Sequence, residues 1–195
     1  MPRPRKIVVA TLAVGAVAIL ATATAAFASL GPNVTVTGAL KAGTKMTFKG
    51  NIDSIAITVS CNTFSSTGKT GSSPSTSVPL SSPPTISGCT DSLGGTDTIH
   101  TNQTNGNWVL SAKGKAMTLT IPKAGATFTS SVEGGCTITA APNGPVGVKG
   151  KYNEKNTDKV KNAKIATTGS GCTSSAASTS ATVILSPAPG KPPWG

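Results

Sequence analysis

Aromatic residues are scarce in this chain, with four Phe, two Trp and one Tyr among 195 residues, and charged residues make up only 12%. There is one histidine, His100, and the only arginines are Arg3 and Arg5. So few ring side chains rule out an interleaved stacking surface for single-stranded nucleic acid. The lack of arginine beyond residue 5 removes the planar fork that reads phosphates and base edges two-pronged, so a specific nucleic-acid partner is not expected. Helical periodicity is almost absent.

A long hydrophobic run is missing too. The longest uncharged apolar stretch, Ile7 to Leu20, follows Arg3, Arg5 and Lys6 and precedes Ala26-Phe27-Ala28. A basic start, an apolar middle shorter than a spanning helix and a small-residue end describe a secretory signal peptide over residues 1–28. The expected product is extracellular, has no transmembrane segment, and spans residues 29–195. It keeps fourteen lysines against six acids, about +8, enough for a diffuse attraction to anionic surfaces.

Four cysteines lie in the exported part: Cys61, Cys89, Cys136 and Cys172. An even count in an oxidising compartment predicts two disulfides, and the short-loop pairing is Cys61 with Cys89 and Cys136 with Cys172. No C-x2-C knuckle is present, so no metal site is expected.

Apolar residues recur with period two and alternate with threonine. Val34 and Val36 flank Thr35; Met46 and Phe48 flank Thr47; Met117, Leu119 and Ile121 interleave with Thr118 and Thr120. Ile55, Ile57, Val59 and Cys61 share one parity, as do Cys136, Ile138 and Ala140, which directs the sulfurs inward. About eleven such strands predict an all-β chain, with an antiparallel β-sandwich of immunoglobulin-like or related type as the expected fold. The expected domain spans 29–186 as one sandwich or two small lobes. Within it Ser65 to Pro84, rich in serine and proline, reads as a flexible loop, and residues 187–195 read as a polyproline tail ending beside Trp194. A triplet recurs as Gly88-Cys89-Thr90, Gly135-Cys136-Thr137 and Gly171-Cys172-Thr173, which turn chemistry beside a bridge explains as well as a duplication does.

Catalytic and cofactor residues are not expected. His100 shares a strand face with Thr98 and Asn102, opposite to Asp97, so no His–Asp relay forms. No G-x-S-x-G elbow and no H-E-x-x-H occur. Candidate binding residues are Lys149, Lys151, Lys155, Lys159, Lys161 and Lys164, which crowd the segment around Tyr152 and could rest on an anionic polymer or equally keep a sheet edge solvated. Trp108 is a candidate exposed stacking platform or a core plug, and Trp194 a candidate anchor on a partner that can equally fold back onto its own sheet.

The leader ending Ala-Phe-Ala, the Thr/Ser/Gly-rich strands, the Ser-Gly-Cys-Thr turns and the Pro-Ala-Pro-Gly-Lys-Pro-Pro-Trp ending resemble small secreted all-β proteins of filamentous actinobacteria. The resemblance implies an exported, disulfide-bonded β protein and supplies no catalytic residue. The secreted enediyne-binding sandwiches of such bacteria are similar in having two bridges, but are shorter, with tighter cysteine spacing. The expected function is non-enzymatic binding at or beyond the cell envelope, to an anionic envelope polymer or an extracellular protein. An extracellular small-ligand carrier and a protease inhibitor presenting residues 65–84 are the alternatives; a carrier requires a deep apolar pocket.

Overall fold

The computed structural model describes residues 30–187 except 114, 133, 154 and 155. The leader, Lys155 and the tail with Trp194 lie outside the described residues. Thirteen strands follow one another: β1 (Thr35–Leu40), β2 (Met46–Ile52), β3 (Ile55–Lys69), β4 (Ser77–Pro79), β5 (Thr85–Asp91), β6 (Thr96–Thr101), β7 (Val109–Lys113), β8 (Ala116–Ile121), β9 (Ala126–Ser130), β10 (Thr137–Ala140), β11 (Val146–Asn153), β12 (Thr157–Ser170) and β13 (Ala176–Pro187). All their pairings are antiparallel.

These strands close into an eight-stranded barrel rather than a sandwich. The ring runs β2–β3–β5–β6–β9–β10–β12–β13 and returns from β13 to β2. The other five strands lengthen its wall. β1 pairs with β3 from Thr35↔Lys69 to Ala39↔Ser65, and β2 continues along the same neighbour from Met46↔Cys61. In the same way β4, β7, β8 and β11 extend β5, β6, β9 and β10. The result is a meander of eight long staves, three of them (β3, β12, β13) running the full length and five broken near the waist. Backbone hydrogen bonds join these breaks into a belt: Leu80 N to Trp108 O, Asn102 N to Gly125 O, Ala124 N to Ala141 O and Ala141 N to Ala166 O.

The expected sandwich fails for a physical reason. One-sided strands need a shared apolar interior, and two packed sheets or one closed sheet both provide it with the same alternation. What decides the matter is the pairing of the last stave with the first, which period two does not encode. Close approaches assist the closure. At Gly68 of β3 a side chain would meet Pro79 O at 2.7 Å and Val78 Cγ1 at 2.8 Å, so only glycine lets β4 come near. There the seam is thin: Gly68 bridges to Leu80, and Ser81 N donates to Thr67 O.

Residues 65–84 correct a second expectation. Five of them, Ser65 to Lys69, finish β3, β4 takes Ser77–Pro79, and Val78 and Leu80 are buried. Thr70, also buried, accepts from Val34 N and donates to Gly31 O, which ties the start of the described chain to this segment.

Both disulfides have the expected pairing, Cys61–Cys89 and Cys136–Cys172, with sequence separations of 28 and 36. Loop closure on that scale contributes about 3.6 and 3.8 kcal/mol in the chain-entropy model. Cys61 and Cys89 face each other across β3 and β5, and Cys172 joins the turn before β13 to the start of β10. Gly88, Gly135 and Gly171, each preceding a cysteine, have φ of 63°, 85° and 76°; Gly135 and Gly171 lie in the connections before β10 and β13, whereas Gly88 lies inside β5, where the pairing with β3 skips it between Cys61↔Cys89 and Thr63↔Ser87.

Candidate functional site in the barrel lumen

Alternation sends one face of each stave inward. On β3 the inner residues are Ile57, Val59 and Cys61; after exposed Asn62 and Thr63 the parity shifts, and Phe64 and Gly68 point in. Ile55, expected to share the inner face, is 49% exposed because it sits on the β2–β3 hairpin. On β12 a register shift between Val160 and Ala163 does the same, so that Asp158, Val160, Ile165 and Thr167 line the interior while Lys159, Lys161 and Lys164 are exposed. The outer wall is made of Thr, Ser and Lys, unlike the apolar band of a membrane barrel.

The interior is not filled. A cavity of about 120 Å³ is lined from all eight staves, by Phe48, Val59, Ile86, Ile99, Leu119, Phe128, Ile138, Ile165 and Ala177 among others. Lys49, Asn51 and Ser174 bring it toward the end of the barrel that carries both disulfides. A second cavity of about 50 Å³ lies further along and shares Met46, Phe64, Leu119, Val148 and Thr179 with the first. Trp108 is 2% exposed, donates its indole N–H to Asn102 O at 2.8 Å and lines the larger cavity. It is therefore a core residue, not an exposed platform, and it forms part of the wall of the larger cavity.

Side-chain hydrogen bonds tie the connections together at the end near the disulfides. Asp53 Oδ1 accepts from Thr173 N at 2.7 Å and Thr173 Oγ1 at 2.8 Å, and these bonds hold its carboxyl below the usual range. Thr167 Oγ1 lies 2.9 Å from Ser174 Oγ, so residues 171–175 fold over this end. The exposed large hydrophobics Ile55, Leu93 and Val132 all sit on its hairpins.

Two acids point inward. Asp97 on β6 is 9% exposed and neither of its oxygens has a hydrogen-bond partner; burial, then the charge of nearby Asp91, pushes its carboxyl up to about 6. Burial also raises Asp91, but there it is outweighed by hydrogen bonds from Gly95 and Leu93 and the Ser130 hydroxyl, which leave it lowered. Asp158 on β12 is 8% exposed, its Oδ1 has no partner, and burial pushes it up to about 6. It lines the smaller cavity with Ser66 and Thr179, whose hydroxyl is likewise unpartnered.

The lysines expected as a group do come together. Lys149 and Lys151 on β11 and Lys159, Lys161 and Lys164 on β12 are exposed on adjacent staves, with Lys151 directly opposite Lys159. His100 is exposed on β6, while Asp97 and Ile99 face the other way. Among the described residues no cluster of His, Cys, Asp and Glu could hold a metal ion, and no helix is long and apolar enough to cross a membrane.

Asp158 and Thr179 escaped the sequence reading. The density of lysines over 149–164 hid the strand parity of Asp158 and Val160, and with it the inward carboxylate. No family model matches the chain, and no curated protein or solved structure is significantly similar to it.

Proposed function

We propose that the protein is a secreted, non-enzymatic carrier that holds one small apolar molecule in the barrel lumen. The observation that carries this reading is the cavity to which all eight staves contribute apolar walls. An eight-stranded barrel is just wide enough to be filled by its own side chains or to keep one small ligand. A void of about 120 Å³ lined by Phe, Ile, Leu and Val is in the size class that admits a benzene-sized guest. Export fits the two disulfides and the signal-like leader.

Calorimetry with a series of monocyclic and short-chain apolar probes, read in parallel by Trp108 fluorescence, tests it. Binding to the wild type and its loss in Ala140→Leu, which fills the cavity while leaving the β spectrum intact, is the expected result. No binding by any probe, or binding that Ala140→Leu leaves unchanged, overturns it.

The lysine face of β11 and β12 supports a second, compatible reading, retention of the carrier on an anionic polymer of the cell envelope. Exposed point charges of this kind act through a screened field. Retention on purified cell wall should therefore vanish in high salt; retention that survives high salt removes this reading.

A further inference from the structure

The barrel segregates its charge. Every described lysine is exposed, whereas two of the acids, Asp97 and Asp158, are turned into the interior. Asp158 is the more telling of the two. It is more than nine-tenths buried, Oδ1 accepts no hydrogen bond, and no lysine among the described residues forms an ion pair with it. Gly150 on the neighbouring stave makes room for it, since a side chain there would overlap the carboxylate. Thr179, 3% exposed, adds a second unpartnered oxygen on the wall common to both cavities.

A buried carboxylate oxygen that accepts no hydrogen bond is costly, and native structures rarely leave one unexplained. One carboxylate and one hydroxyl are too few ligands for a hard divalent cation, which needs six or more oxygens. The carboxylate does match a compact cation with N–H donors, taking its charge and a hydrogen bond, while Thr179 stands further along β13, four residues from the Val183 that faces Asp158. Apart from Ser66, the remaining wall of the smaller cavity, Leu110, Val160, Val183 and Leu185 among it, is apolar and offers little to a larger polar head.

We infer that the ligand of this barrel is a small amphiphilic amine, with its ammonium group against Asp158 and its hydrocarbon part reaching along the smaller cavity toward the larger one. This rests on the carrier reading and specifies its ligand class.

The groups that face Asp158 are few. Tyr152 of β11 lies directly opposite, with its hydroxyl donating to Asn156 Oδ1 at 2.7 Å. Lys149 and Lys151 of β11 and Lys159 of β12 are on the outer face, and β13 and β10 carry no titratable side chain.

The test compares hexylamine, hexanol and hexanoate by calorimetry on the full secreted protein at pH 8, then on Asp158→Asn. The amine should bind at least tenfold tighter than the alcohol, hexanoate should not bind, and Asp158→Asn should abolish the preference for the amine while leaving hexanol unchanged. Should the variant not fold, the wild type at pH 5 serves instead: the amine stays charged there, Asp158 is largely protonated, and the preference should fall several-fold. Equal binding of amine and alcohol to the wild type overturns this inference and leaves the carrier reading standing. Binding of none of the three overturns both.

Discussion

Asp158 and Asp97 are where a single side chain sets the behaviour of the protein with pH. Both carboxyls sit near about 6 when folded, above their ordinary value of 3.8, so the folded chain holds more protons than the unfolded one between those limits. Stability from these groups is fully present below the unfolded value and is lost as pH rises through about 6. Asp53 and Asp91, held below the ordinary value, work in the opposite sense: their contribution is present above it and is lost as pH falls through their folded values. Maximal thermal stability is therefore expected near pH 4–5, with a decline toward pH 7. The double variant Asp97→Asn/Asp158→Asn should flatten that decline and raise Tm at pH 7; scanning calorimetry at pH 4.5 and 7 checks both. Neither acid was visible as a lumen residue in the sequence. The Asp97 parity was readable from Ile99 and His100, but a face becomes an interior only once the barrel closes.

Among elements, the strands rich in threonine were the most legible. β2, β8 and the first half of β3 match the alternation of Met46 with Phe48, of Met117 with Leu119 and of Ile57 with Val59. β4 lies inside the stretch expected as a loop, because proline and serine around it and β5 weaken the local signal, and their partners rather than their own residues hold both in place. In β12 only the second half carries a clean period, since the shift between Val160 and Ala163 breaks it in a lysine-rich stretch. The narrowest junction in the wall is that of β3 with β4, and it depends on Gly68. Gly68→Ala should cost about 1–3 kcal/mol, the range for forcing atoms into a packed site. Urea unfolding followed by Trp108 fluorescence measures it. Gly43→Ala, where nothing lies within 4 Å but φ is +74°, separates backbone strain from crowding and should cost less.

For the whole molecule, the disulfide framework was legible because sequence proximity and strand parity agreed on it. The closed topology was not. Cys136–Cys172 and the Asp53–Thr173 bonds act on the same end of the barrel, where the larger cavity approaches the surface. Cys136→Ser/Cys172→Ser should lower stability by about 2–4 kcal/mol. It should also shorten the residence time of any lumen-bound probe more than it weakens Gly68-dependent pairing at the far end. Stopped-flow release compared with denaturant unfolding distinguishes the two effects.

The join between β13 and the first stave brings together residues well over a hundred positions apart, such as Val36 and Pro187. Every other neighbour in the meander follows its predecessor directly along the chain. As the chain folds, seven staves can zip up in order, yet until the last one arrives there is an open sheet with two bare edges and no inside at all. Nascent chains cut short before Ala176 should consequently stick to one another at those edges, and whatever the finished vessel holds must enter late, at or after the moment of closure.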